Sequence, residues 1–136
     1  MKVLPALAFL AALALAHPAA IAAEKSSADE APPVVRFIDL PPMSAAILRS
    51  NRVRGLVTVQ ITLEVLKPEE AAEVQGKLPR VQATLLNALQ RHVGRLRSSS
   101  DLLDLEEMLN EMQRNADIVA GNGTVRPLLQ NVQYGR

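Results

Sequence analysis

The sequence predicts an α+β domain in which a small antiparallel sheet, in the order β-β-α-α-β, packs against two amphipathic helices. Residues 56–65 alternate apolar and polar side chains. Two later stretches repeat apolar residues at helical spacing, and residues 124–134 return to a strand-like pattern after Gly121-Asn122-Gly123. Alternation is the period of a half-buried strand, and spacings of three and four are the period of one helix face.

Along the chain, the first 22 residues read as a secretory signal peptide. Lys2 carries the single charge, residues 3–16 hold no polar side chain, and Ala20-Ile21-Ala22 has the small-x-small form of a cleavage site. The alternative is a retained N-terminal membrane anchor. His17 falls inside this segment, which gives it no catalytic context. Residues 23–33, chiefly EKSSADEAPP, are charged, small and Pro-ended, and read as a disordered linker. The domain then occupies residues 34–136.

Val34-Val35-Arg36-Phe37-Ile38-Asp39-Leu40 is a short strand closed by Pro41-Pro42, whose missing N–H groups stop a ladder. Residues 43–48 read as a second short strand or a turn. In 56–65, Val57, Val59, Ile61, Leu63 and Val65 share one face and Thr58, Gln60, Thr62 and Glu64 the other. Pro68-Glu69-Glu70 starts a helix, with acids at the positive end of its dipole. Gly76 and Pro79 are expected to break that piece from the next. Beyond them Val81, Leu85, Leu89, Val93 and Leu96 line a helix to about Arg97. Ser98-Ser99-Ser100 is a loop, and Asp101 with Asp104 offers caps for a second helix with Leu105, Met108, Leu109, Met112, Ala116 and Val119 on one face. Gly121-Asn122-Gly123 ends it, and Pro127 places the last strand at an edge or a bulge.

Composition excludes several functions. Of 136 residues 49% are hydrophobic but only 2% aromatic, so aliphatic side chains build the core and stacking platforms for single-stranded nucleic acid are not expected. Fifteen Lys and Arg stand against fourteen Asp and Glu, and removing Lys2 with the signal leaves fourteen against fourteen. That balance excludes a strongly basic nucleic-acid binder. With no Cys there is no thiol nucleophile, disulfide or Cys-ligated zinc. His92, the one histidine outside the signal, has no acid on its own helix, and the Ser98–Ser100 run lacks a Gly-x-Ser-x-Gly context. Asn122-Gly123-Thr124 matches a glycosylation sequon but reads as a turn. Neither catalytic residues, metal ligands nor a cofactor are expected.

Charge is the remaining signal. Lys77, Arg80, Arg91, Arg95 and Arg97 form a basic stretch without acids, while Asp101, Asp104, Glu106, Glu107, Glu111 and Asp117 stand against Arg114 alone. Either the two helices lie antiparallel and pair within one chain, or Arg91, Arg95, Arg97, Glu106, Glu107 and Glu111 meet across neighbouring subunits in a head-to-tail ring. Arg49, Arg52 and Arg54 flank a turn at Ser50-Asn51, either as a solvated loop or as a contact to acidic lipid headgroups or an acidic partner.

The ordered set of segments resembles the FliL family of flagellar basal-body-associated proteins, over about residues 34–134. The resemblance rests on Phe37-Ile38-Asp39-Leu40-Pro41-Pro42, on Leu63-Glu64-Val65 before the Pro-Glu-Glu helix start, and on Leu78-Pro79-Arg80-Val81 with Leu85-Leu86. The Leu-rich acidic second helix and the ending from Gly123 and Val125 complete it. A divergent member of that kind implies a domain similar to the stomatin-like SPFH fold and a non-enzymatic periplasmic role assisting or modulating the flagellar motor. Its partners would be stator or basal-body proteins, with a homo-oligomeric ring and peripheral contact with the inner membrane as further expectations. An exported module binding a small molecule or lipid, or an envelope assembly factor unrelated to flagella, is the alternative.

Overall fold

The structure, a computed structural model, describes Val34 and residues 36–136. The signal peptide, the anchor alternative and the linker all lie outside the described residues. Four strands and two helices follow in the order β1 (Phe37–Asp39), β2 (Met43–Arg49), β3 (Arg52–Val65), α1 (Ala71–Val93), α2 (Leu105–Ala120) and β4 (Val125–Gly135). The α+β class and the antiparallel sheet with two helices are as the sequence predicts, and residues 43–49 form a strand rather than a turn, so that three strands, not two, precede the helices.

β3 organises the sheet. β4 pairs with it along one side, from Leu56↔Gly135 to Val65↔Val125. On the other side β1 and β2 lie end to end, with Asp39 opposite Thr62 and Met43 opposite Val59. They are therefore one edge strand interrupted at Leu40-Pro41-Pro42, where the two prolines have no N–H to donate. The break is stitched to β3 by the Leu40 N–H donating to the Ile61 carbonyl at 3.0 Å and by Gln60 Nε2 donating to the Leu40 carbonyl at 2.7 Å. Nearby, Thr62 Oγ1 donates to Asp39 Oδ1 at 2.6 Å, which buries a threonine on the face that carries no helix. Among the described residues the outer edges of β1–β2 and of β4 carry no further strand, and β4 contains Pro127.

β2 and β3 are joined by Ser50-Asn51, with φ of 49° and 60°. Two positive values in succession are those of a type I′ turn, whose twist matches that of the flanking strands. Asn tolerates this region well and Ser less so. A register shift between Ile47 and Leu48 makes Arg54 the extra residue of a bulge. This is why β3 begins four residues earlier than its alternation suggests: the bulge shifts the parity of the apolar positions between Val53 and Leu56.

Val57, Val59, Ile61, Leu63 and Val65 are all buried against the helices, joined by Met43, Ala45 and Ile47 of β2. α1 supplies Val74, Val81, Leu85, Leu89 and Val93, and α2 supplies Met108, Met112 and Ala116. α1 is continuous through Gly76 and Pro79, which corrects the expected break. Gln75, Gly76 and Pro79 are all exposed. The carbonyl of Gln75 that Pro79 cannot satisfy thus lies on the solvent side of the helix, while the stripe from Val74 through Leu78 to Val81 stays packed on the sheet. One 3-10 turn, Pro68–Glu70, leads into the helix.

The helix ends at Val93 rather than near Arg97, and the chain turns through residues 94–104. Asp104 caps α2, its Oδ1 accepting from the Glu107 N–H at 2.9 Å. Asp101 takes a different part, accepting from the N–H groups of Arg97 and Ser98 at 2.6 and 3.2 Å. This loop crosses Gly55 so closely that a Cβ there would stand 2.9 Å from Ser99 Cβ. Gly121 at φ 106° ends α2.

Candidate functional site

Two features outside the core gather charged side chains. The first lies between the helices. α1 ends with Arg91 and His92 in its last turn, while α2 carries Glu107 and Glu111 one turn apart on one face. Arg91 Nε donates to Glu111 Oε1 at 2.6 Å, with a second contact from its Nη2 to the same oxygen. His92 Nε2 shares a hydrogen bond of 2.6 Å with Glu111 Oε2. Arg95 Nη1 reaches both oxygens of Glu107 at 3.2 Å. Burial works to raise the Glu111 carboxyl, and the hydrogen bonds from Arg91 and His92 outweigh it, leaving the group below its ordinary value.

His92 is 3% exposed and Glu111 19%, so the imidazole is clamped where a ligand would have to displace a carboxylate. The spacing of His92 from any acid on its own helix hid this partner, which lies 19 residues on. Among the described residues no group of three His, Cys, Asp or Glu side chains is placed to hold a metal ion. Glu106, on the first turn of α2, lines a shallow depression with Asp104, Glu107 and Asn110.

The second feature is the β2–β3 hairpin tip. Arg49 Nη2 donates to the Arg95 carbonyl at 3.3 Å and so leans toward the end of α1. Arg52 and Arg54 are exposed, and no acidic side chain pairs with Arg49, Arg52 or Arg54 among the described residues. Arg97 is likewise exposed, in the loop after α1. The sites proposed from sequence therefore separate. Arg91, Arg95, Glu107 and Glu111 are brought together inside one chain, whereas Arg49, Arg52 and Arg54 surround the turn.

The sheet face opposite the helices adds what the sequence did not reveal. Phe37, Asp39, Gln60, Thr62, Leu128 and Gln130 line an open hollow of about 510 Å³ there. Toward the tip the same face carries Leu48, Val53 and Leu56. No family model, curated protein or solved structure matches the chain. No helix among the described residues is long and apolar enough to cross a membrane.

Proposed function

We propose that this chain is a non-enzymatic interaction module of the FliL-like kind, exported to the periplasm, where it assists or modulates the flagellar motor through stator or basal-body proteins. The observation that carries the reading is the division of the domain into two faces. Arg91, His92 and Arg95 are occupied with Glu111 and Glu107, while the second face of the sheet stays open. A sheet backed by helices on one side presents a broad, rigid surface, which suits recognition of another protein. The segments that carry the family resemblance fall on three different elements of the domain. Phe37-Ile38-Asp39-Leu40-Pro41-Pro42 forms the interrupted edge, Leu63-Glu64-Val65 ends the central strand, and Leu78-Pro79-Arg80-Val81 lies on the long helix.

The test is a deletion strain carrying the gene back on a plasmid. The motor reading expects reduced swimming on deletion, recovery with the intact gene, and co-purification of a stator or basal-body protein with the tagged chain. Unchanged swimming in the deletion would remove the motor and leave a periplasmic module with another partner.

A further inference from the structure

We propose that the β2–β3 hairpin tip docks onto a lipid surface rich in anionic phospholipid, with Leu48 and Val53 entering the headgroup boundary and the exposed Arg52 and Arg54 binding phosphates at its rim. The apolar part is contiguous. Leu48 and Val53 are cross-strand partners, as are Ala46 and Leu56. Because Ile47 and Gly55 are the buried partners between them, all four lie on the face without helices. Leu48 is 56% exposed and Val53 67%, in the part of the hairpin beyond the end of β4, where only β2 and β3 pair. The rim is basic: Arg52 and Arg54 are exposed and have no acidic partner among the described residues, while Arg49 is held on the Arg95 carbonyl. The acid of the neighbouring loop, Asp101, is turned onto backbone N–H groups.

Charge complementarity selects the occupant. Guanidinium groups form paired hydrogen bonds with phosphate, and anionic leaflets attract clustered Arg side chains. Aliphatic side chains beside a tight turn, without aromatic anchors, suit a fluid boundary better than a folded partner, whose interface core favours aromatics in pockets. The type I′ turn holds the tip in one conformation, so little ordering opposes docking. The inference stands on the hairpin alone and does not depend on a flagellar partner.

The chain has no cysteine, so Val53→Cys in the full chain accepts one environment-sensitive fluorophore and Ile118→Cys, on exposed α2, a matched control. On vesicles of phosphatidylcholine with phosphatidylglycerol the label at 53 is expected to shift to the blue and the label at 118 to stay unchanged. The shift should fall away toward about 1 M salt, where screening acts within a few ångströms. Adding Arg52→Glu and Arg54→Glu should reduce the apparent vesicle affinity read by that shift by about tenfold or more, with circular dichroism unchanged. An equal shift on pure phosphatidylcholine, a shift at position 118, or indifference to the charge reversals would overturn the proposal. So would a label that responds to an acidic peptide but not to anionic vesicles, which would make the tip a protein contact instead.

Discussion

Glu111 holds a guanidinium and an imidazole at once, and its loss would leave both without their partner. Glu111→Ala strands His92 in the interior and frees Arg91, so it is expected to cost about 2 kcal/mol in chemical denaturation, the range for hydrogen bonds to charged groups. The same carboxylate sets a pH dependence. Its folded-state value lies below the ordinary 4.5, so its stabilisation is complete above that value and is lost as pH falls through the folded one. Melting temperature should therefore drop on acidification below about 4.5, and Glu111→Gln should flatten the part of that slope which this group supplies. Asp101, also held low by the backbone N–H groups around it, continues to contribute in the variant.

At the scale of elements, the central strand and the long helix make opposite predictions about tolerance. Ile61→Asp places an unpaired carboxylate in the core and should abolish cooperative melting, whereas Gln60→Asp gives up one hydrogen bond to Leu40 at about 1 kcal/mol. Equal melting of the two variants would contradict the register. In α1, nothing lies within 4 Å of a Cβ added at Gly76, and the position is helical and exposed. Gly76→Ala should thus raise stability by about 0.5 to 1 kcal/mol, a gain that a helix broken at this point would not show.

These two elements also show what could be read from the chain. The buried face of β3 was legible because a strand under helices on one side keeps strict alternation. The continuity of α1 was not, since Gly76 and Pro79 are local breakers whose effect depends on whether the freed carbonyl meets solvent or core. The start of β3 was obscured by one bulged residue, and the partner of His92 by a separation in sequence that only the packing of α1 on α2 closes. For the same reason the arginines at the turn were visible in the sequence, while the apolar patch between them was not.

For the whole molecule, the question is whether the segregated charges hold one chain or join several. The distances favour the former for Arg91 with Glu111 and Arg95 with Glu107. Arg91→Glu with Arg95→Glu should then lower the melting temperature, because carboxylate meets carboxylate between the helices. Adding Glu107→Arg and Glu111→Arg should recover only part of the loss, since His92 would face a guanidinium. Sedimentation of the parent and both variants should be the same; a ring held by these charges would instead dissociate in the first variant and reform in the second.

The interruption at Pro41-Pro42 bears on how long such a chain stays dispersed. An uninterrupted edge from Phe37 to Arg49 would offer a run of free donors and acceptors on which another extended segment could grow into a fibre. Two residues without N–H groups leave only the three of β1 and the seven of β2, set apart by a step in register. Pro41→Thr with Pro42→Thr is expected to melt within a few degrees of the parent yet shorten the lag before thioflavin-positive fibrils under agitation. In a chain whose aliphatic strands have few charges along them, the proline step then works against amyloid nucleation.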